Sequence, residues 1–89
     1  MSELPTIGYR LRLKPGRERS LLLHHPWVFN GAVAEVEALP GTVPGDLGDV
    51  IDHEGRFLGR GTVQPESQIL CRVLTFVDRP VDRDLLRER

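Results

Sequence analysis

The sequence predicts a small, mostly-β barrel with one or two short helices. Apolar and polar side chains alternate with a period of two in several segments, which is typical of strands with one buried face. Five or six such segments are separated by Gly- and Pro-rich turns. The chain has 89 residues, of which 39% are apolar and 28% charged, as expected of a globular domain with a modest core.

The N-terminal part contains the clearest strand and the first predicted helix. Residues 7–13 alternate strictly and place both of their arginines on one face. Lys14-Pro15-Gly16 ends this strand, and residues 17–24 are predicted to form a two-turn helix with Leu21 and Leu22 towards the core. A helix this short is not stable alone, so packing must hold it.

Pro26 separates this helix from a short predicted strand, Trp27–Phe29. Proline lacks an N–H donor and disfavours helical geometry at His25, which precedes it. Asn30-Gly31 then predicts a turn or a bulge. Trp27, the single tryptophan, is interpreted as the buried anchor of this helix-to-strand corner rather than as a base-stacking surface.

Four more strands complete the predicted barrel. Residues 68–77 form the longest, and because both faces are mostly apolar we expect a central strand covered from two sides. Gly59 and Gly61 leave one strand face bare, so either Trp27 or a neighbouring backbone is expected to pack there. The other strands are predicted at residues 32–37, 47–52 and 57–63, with a turn-rich loop at 39–46.

Residues 82–89 are predicted to begin a C-terminal helix. Asp82 can cap it, and the acidic-then-basic order suits the helix dipole. Leu85 and Leu86 would then need a packing partner. We therefore expect residues 1–81 to form the domain and residues 82–89 to lead into a catalytic domain that this chain lacks. The alternative is a short protein that ends in a frayed helix.

The composition also predicts a compartment. No apolar run approaches the roughly 20 residues of a membrane helix, and the N-terminus lacks the basic region and apolar core of a signal peptide. Cys71 is the single cysteine, so an internal disulfide is impossible. These features predict a cytoplasmic protein with no membrane partner.

The chemically reactive residues do not form a catalytic pattern. His24-His25 and the segment 52–54 lack metal-ligand spacing, and one of the two histidines is expected to cap the short helix while the other reaches solvent. Cys71 lies within a strand and is predicted to be a buried, inert thiol. The glycines at 59 and 61 lack phosphate-loop spacing and are predicted to serve packing. We predict no catalytic residue, metal or cofactor in this chain.

The basic residues are unevenly distributed, although the net charge is only −1. Lys14, Arg17 and Arg19 follow the two arginines of the first strand, whereas residues 20–55 contain acidic residues and no Lys or Arg. A basic patch on a neutral domain can concentrate phosphate groups, and arginine suits phosphate contacts. The same pattern also fits an ordinary solvated face.

Several segments together resemble one known family. Two sequence elements carry most of the resemblance: HPWVF-x-GA, which begins at His25, and D-x-x-G-x-FLGRG, which begins at Asp52. They are similar to the N-terminal PUA-like domain of class I S-adenosylmethionine-dependent methyltransferases that methylate cytosine C5 in large-subunit ribosomal RNA. The resembling segments are residues 11–19, 25–33, 45–46, 50–61 and 69–75.

This resemblance implies a PUA-like pseudobarrel of five to six strands with a short helix after the first. It implies that structured RNA, ribosomal in this family, binds at residues 14–31, the region that the charge pattern also indicates. It further implies a C-terminal methyltransferase domain, outside this chain, that holds S-adenosylmethionine and the catalytic cysteine. The expected RNA-binding residues are Lys14, Arg17, Arg19, His24, His25 and Gly31.

Two functional hypotheses follow. In the first, the chain is an RNA-binding module for rRNA processing that docks structured RNA by shape and phosphate contacts and leaves the chemistry to another domain. In the second, it is a structural module that braces the catalytic domain or forms a homodimer, and RNA binds elsewhere. The acidic face at residues 35–54 and the unfinished terminal helix motivate the second hypothesis.

Overall fold

Residues 7–78 fold into a single sheet of six strands that curls into half a barrel. The computed structural model describes residues 7–78. Its elements are β1 (Ile7–Leu13), α1 (Arg19–Leu22), β2 (Trp27–Phe29), a 3-10 helix (Asn30–Ala32), β3 (Val33–Ala38), β4 (Leu47–Ile51), β5 (Phe57–Val63) and β6 (Ile69–Thr75). The strand order is β2-β6-β5-β4-β1-β3, and β1 and β4 pair in parallel. This architecture confirms the predicted mostly-β, PUA-like pseudobarrel.

The core is built from alternate strand residues and one helical residue. In β1 the inward residues are Tyr9, Leu11 and Leu13, as the alternation predicts, and Arg10 is exposed. The strand β2 alternates in the same way, whereas β4 and β5 bury residues on both faces and β3 has no buried residue. The remaining members of the main core cluster are Leu21, Val28, Val50, Leu58, Val63, Leu70, Cys71 and Val73.

The helix α1 is shorter than predicted and buries only one of its leucines. It covers Arg19–Leu22 instead of residues 17–24. Leu21 is 3% exposed, whereas Leu22 is 64% exposed, so the prediction that both face the core is wrong for Leu22. A single helical turn presents one position to a neighbouring sheet, because successive residues point about 100° apart.

Close packing between β5 and β6 explains the glycines of β5. A Cβ atom at Gly61 would collide with the Arg72 carbonyl oxygen, and one at Gly59 would lie 2.9 Å from Cγ1 of Val73. Of the two predicted neighbours, the adjacent strand is therefore the correct one, and Trp27 does not pack there. The preceding hairpin turn has Gly55 at φ +91°, a conformation that favours glycine.

The strand β6 has the predicted interior position but differs in two respects. It covers seven residues, the same length as β1 and β5, so it is not the longest strand. It lies between β2 and β5, and the predicted cover of the face that carries Arg72 and Leu74 is partial: Leu74 packs against Leu47 in a second, smaller cluster, whereas Arg72 is exposed. Within residues 7–78 the one α-helix is a single turn, too short to cover this outer face.

The predicted turns on either side of β3 agree with the structure. The loop between β3 and β4 makes two successive turns, with Gly41 and Gly45 both at positive φ. Asn30-Gly31 forms the 3-10 helix, and a register shift interrupts the β2–β6 pairing just before it. The predicted helix at residues 82–89 lies outside the described residues. Within 7–78, no helix is long and apolar enough to span a bilayer.

Candidate nucleic-acid interface

The arginines of β1 are paired with carboxylates and do not extend the basic patch. Arg10 and Arg12 lie opposite Glu37 and Glu35 in the β1–β3 register. The nitrogen–oxygen distances are 3.8 Å for Arg10–Glu37 and 3.9 Å for Arg12–Glu35. Such exposed pairs stabilise the fold little, but they cancel local charge. An anion site on this strand face is therefore not favoured.

The next three basic residues are exposed and have no acidic partner in the described part of the chain. Lys14, Arg17 and Arg19 make no salt bridge with any carboxylate among residues 7–78. Lys14 donates its backbone N–H to the Ala32 carbonyl oxygen at 2.9 Å, and Arg17 donates to the Lys14 carbonyl oxygen at 3.1 Å. These bonds close a turn in which Gly16 has φ +83°. The end of β1 is thereby held against the 3-10 helix, and the unpaired cations lie near that contact.

The helix ends in a Schellman-type motif that fixes both histidines. The N–H of His24 donates to the Leu21 carbonyl oxygen and the N–H of His25 donates to the Ser20 carbonyl oxygen, both at 2.9 Å. His24 occupies the left-handed position with φ 63°, where glycine is usual. The predicted capping role of one histidine is thus confirmed for His24, through its backbone.

The two imidazole rings point to different neighbours. The His24 ring stacks on Phe76 at a centroid distance of 4.5 Å. The His25 ring lies 6.3 Å from the Trp27 ring and nearly perpendicular to it, and its Nδ1 accepts the Trp27 backbone N–H at 3.4 Å. Both histidines are exposed. His25 therefore belongs to the β2 surface, whereas His24 faces the end of β6.

The prediction that Trp27 is a core anchor is wrong. Trp27 is 44% and Phe29 48% exposed, whereas Val28 between them is 3% exposed. Because side chains alternate along a strand, either Val28 or its two aromatic neighbours can face the core, but not both. Val28 lies opposite the fully buried Cys71 in the β2–β6 register, so the small residue fills the narrow interior. We call the exposed pair Trp27 and Phe29 the aromatic shelf.

A shallow groove of about 190 Å³ separates α1 from β2. None of the carboxylates between residues 7 and 78 lines it, and Arg17 and Gly31 are among its lining residues. A Cβ atom at Gly31 would meet nothing within 4 Å, so the backbone there is open to a ligand. The α1–β2 groove is lined by Leu13, Arg17, Ser20, Leu21, Trp27, Val28, Phe29, Gly31 and Ala32.

The structure thus brings together only part of the predicted set. Arg17 and Gly31 line the α1–β2 groove, Lys14 is hydrogen-bonded to its wall at Ala32, and His25 contacts Trp27 at its end. Arg19 is exposed on α1 but does not line the groove, and His24 points towards Phe76.

Three exposed side chains in or beside the groove are not among the predicted RNA-binding residues. Trp27 and Phe29 form the aromatic shelf, and Arg72 lies directly opposite Trp27 in the β2–β6 register. Directly opposite residues share a sheet face, so Arg72 flanks the shelf. Its side chain is exposed and has no salt-bridge partner within residues 7–78. The period-two alternation of both strands is the sequence signal for their exposure, whereas the size of the indole ring favours burial of Trp27.

The reactive side chains are held in structural roles. Cys71 is fully buried, as predicted, and burial raises the pKa of its thiol to about 12. The carboxylate of Asp52 accepts the backbone N–H groups of Arg56 and Glu54 at 2.8 and 2.9 Å and closes the β4–β5 turn. Gly59 and Gly61 lie inside β5 against β6, so they form no cofactor-binding loop.

A curled six-stranded sheet with one short helix after β1 defines a PUA-like domain, and this chain belongs to the PUA-like domain family, whose pattern matches residues 11–76. It is 48% identical over 86 residues to the ribosomal RNA large subunit methyltransferase I of Shewanella denitrificans, a match that covers 93% of this chain and 21% of that protein.

Two further relatives carry the same name. The Cronobacter sakazakii protein is 52% identical over 70 residues, which cover 79% of this chain and 17% of the relative. The Salmonella arizonae protein is 51% identical over 74 residues, which cover 82% of this chain and 18% of the relative. The chain therefore spans about a fifth of the length of the curated relatives that it matches.

Proposed function

We propose that this chain is the RNA-docking module of an S-adenosylmethionine-dependent methyltransferase of large-subunit ribosomal RNA. The observation that carries the proposal is that Lys14, Arg17 and Arg19, beside a groove lined by no carboxylate of residues 7–78, have no carboxylate partner within the same range. The relatives, which are ribosomal RNA methyltransferases by name, support RNA as the polyanion.

The docking mechanism rests on charge and shape rather than on reaction chemistry. Lys14 and Arg17 would contact phosphate groups along the wall of the α1–β2 groove, and Arg19 would contact a further phosphate from the exposed side of α1. The open backbone at Gly31 would let the RNA approach closely, and His25 is better placed than His24 to add a hydrogen bond. Phosphate contacts of this kind fix the position of RNA without selecting its sequence.

The chemical step would belong to another part of the parent chain. We assign S-adenosylmethionine, the catalytic cysteine and transfer to cytosine C5 to a C-terminal methyltransferase domain, since Cys71 is buried and protonated at neutral pH. The parent enzyme would act in the cytoplasm, in agreement with the cysteine content. In this arrangement residues 1–81 hold the RNA and the domain beyond residue 89 modifies it.

A salt series with matched arginine variants tests the docking role. Binding of labelled large-subunit rRNA fragments should weaken as salt rises, and each lost phosphate contact should lower the log–log slope by about 0.7–0.9. Replacing both Arg17 and Arg19 with Gln should weaken binding on the order of tenfold at about 0.1 M salt. Arg10→Gln together with Arg12→Gln is the control, because those arginines are already paired with Glu37 and Glu35.

Two results would contradict the docking role. One is an affinity that does not change with salt. The other is an equal loss of affinity in the groove variants and in the β1 control, which would mean that only net charge matters. The free energy of unfolding of each variant, from urea titration, shows whether a loss of binding reflects loss of the fold.

The structural-module hypothesis has less support from the described residues. Its main motive was an acidic face at residues 35–54, but Glu35 and Glu37 lie beside Arg12 and Arg10. The exposed Leu22 and Leu23 on the end of α1 are the features that favour a protein partner. Sedimentation of the chain across a concentration series tests the homodimer, since a monomer at high concentration would exclude that form.

A further inference from the structure

We propose that the aromatic shelf binds an unpaired RNA base, so that this domain engages RNA at a loop, bulge or end. The inference rests on the proposed RNA-docking function and deepens it by naming the class of RNA. Its starting point is that Trp27 and Phe29 are both about half-exposed on the outer face of a strand. In a small domain, two large aromatic rings exposed side by side mark a binding surface.

The shelf is accessible and its rings are held in place. Among the strands of the described residues, β2 lies at the edge of the sheet and pairs only with β6. The Trp27 and Phe29 rings are 6.5 Å apart at 75°, and the His25 ring lies 6.3 Å from Trp27 at 85°. Near-perpendicular contacts of this kind are favourable between aromatic rings. Trp27 is therefore braced on two sides.

The charges around the shelf favour a nucleotide over an apolar protein surface. Arg17 lines the same groove as Trp27 and Phe29, and Arg72 lies across from Trp27 on the β6 side. An apolar partner would have to remove water from these guanidinium groups without compensating their charge, which is costly. A nucleotide instead supplies a base for the rings and a phosphate for the arginines.

The geometry also selects unpaired RNA. In an A-form duplex the bases are stacked on one another, and side chains reach only their edges in the shallow minor groove. A ring on the protein can stack on a base only where that base is splayed out of the helix. Base–aromatic stacking contributes roughly 1–3 kcal/mol per base, so the shelf would distinguish an open loop from a closed duplex by about fivefold to 150-fold.

Trp27 provides a direct test, because it is the only tryptophan and its fluorescence reports this site alone. The chain is titrated with a hairpin RNA that has a large loop, and with a blunt duplex of the same stem sequence. We expect the hairpin to quench Trp27 and to bind more tightly than the duplex. Phe29→Leu should weaken hairpin binding by at least about fivefold while leaving the salt slope unchanged. Leu23→Ser, an exposed apolar residue outside the groove, is the matched control.

The outcomes separate this inference from the docking function. Salt-dependent binding of hairpin and duplex with equal affinity and no change in Trp27 fluorescence would overturn the inference and leave the docking function in place. The absence of binding to any RNA would overturn both. Quenching of Trp27 by the C-terminal part of the parent enzyme, with no response to RNA, would show that a protein surface covers the shelf and would also overturn the inference. The measurement on the unsubstituted chain decides the matter even if Phe29→Leu fails to fold.

Discussion

The α1–β2 groove and the carboxylate-rich region of β3 to β5 differ in whether their arginines have carboxylate partners. In the groove region Arg17, Arg19 and Arg72 have no carboxylate partner among residues 7–78. In the carboxylate-rich region each arginine that contacts β3, β4 or the β4–β5 turn lies beside at least one carboxylate. The number of cations therefore does not locate an anion site in this domain. Local pairing decides which cations remain free for a polyanion.

The pairing follows from the sheet register and from two local networks of carboxylates, one around Arg56 and one around Arg60. The β1–β3 register places Arg10 and Arg12 opposite glutamates, and the Asp52 turn captures Arg56. What the sequence presents as an acidic stretch is thus largely neutralised in the fold. The pairs are Arg10–Glu37, Arg12–Glu35, Arg56–Asp52, Arg56–Glu54, Arg60–Asp49 and Arg60–Asp78.

Arg60 should show the largest contrast with the groove arginines. Its side chain is 9% exposed, and Nε lies 2.6 Å from Oδ1 of Asp49 while Nη2 lies 2.8 Å from Oδ1 of Asp78. Arg60→Gln leaves a partly buried carboxylate without its cation, and because both aspartates keep some solvent contact we expect a loss of about 2–3 kcal/mol in the free energy of unfolding. Urea titration provides the measurement.

The matched substitution is Arg17→Gln, at an exposed and unpaired arginine. It should change the free energy of unfolding by less than about 0.5 kcal/mol, as surface substitutions usually do. Similar losses at the two positions would mean that the groove arginines are also structural. The groove arginines would then contribute to the fold in the same way as the paired ones.

The Asp52 turn should make the stability of the paired region depend on pH. The N–H of Arg56 is the main cause that holds the pKa of Asp52 below its ordinary value of 3.8. Because the folded pKa is the lower one, this stabilisation is present above pH 3.8 and is lost as the pH falls through the lowered pKa. Asp52→Asn should therefore be less stable than the unsubstituted chain at neutral pH, and the two should converge in acid.

Unfolding curves from neutral pH to below 3.8 test this dependence. Asp46→Asn is the control, since its carboxylate accepts a single turn N–H, from Val43 at 3.0 Å. Asp52 accepts two backbone N–H groups and the Nε–H of Arg56, so its loss should be the greater. If the free energies of unfolding of Asp52→Asn and of the unsubstituted chain differ by the same amount at every pH, this carboxylate contributes nothing to the acid dependence.

Much of the fold could be predicted because short-range patterns determine it. The alternation in β1, the Gly55 turn and the proline at 26 gave the strands and their boundaries to within about two residues. Interior position could also be inferred for β6 from its apolar residues. The extent of α1 could not, because a single turn depends on what packs against it rather than on its own sequence.

The candidate site was harder to predict, since it depends on which groups meet across strands. The pairing of Arg10 with Glu37 joins residues that are far apart in sequence, and only the β1–β3 register reveals it. Likewise, the alternation around Val28 allowed two orientations of β2. The buried Cys71 opposite Val28 selected the one that exposes Trp27, and this pairing also requires the register.

Removing the carboxylates of β3 should leave the two arginines of β1 without their glutamate partners. Glu35→Gln together with Glu37→Gln would leave Arg12 and Arg10 without their partners across β1 and β3. We expect RNA binding about twofold to fivefold tighter at low salt, an effect that disappears as salt screens the new cations. A salt series with the rRNA fragments measures it. An unchanged affinity would mean that pairing with glutamate is not what keeps β1 from binding RNA.

The smallest expected effect separates the two adjacent histidines within the groove region. His25 contacts the aromatic shelf through Trp27, whereas the His24 ring stacks on Phe76. Because His25 is exposed, its hydrogen bond to RNA should lie at the low end of the range of about 0.5–1.5 kcal/mol, so His25→Gln should weaken RNA binding by about twofold, and His24→Gln by less. His24→Gln should instead change the stability of the helix end, because His24 holds the left-handed cap position at φ 63°. If the RNA affinities of the two variants are ranked in the opposite order, the RNA path runs over the end of β6 and not along the α1–β2 groove.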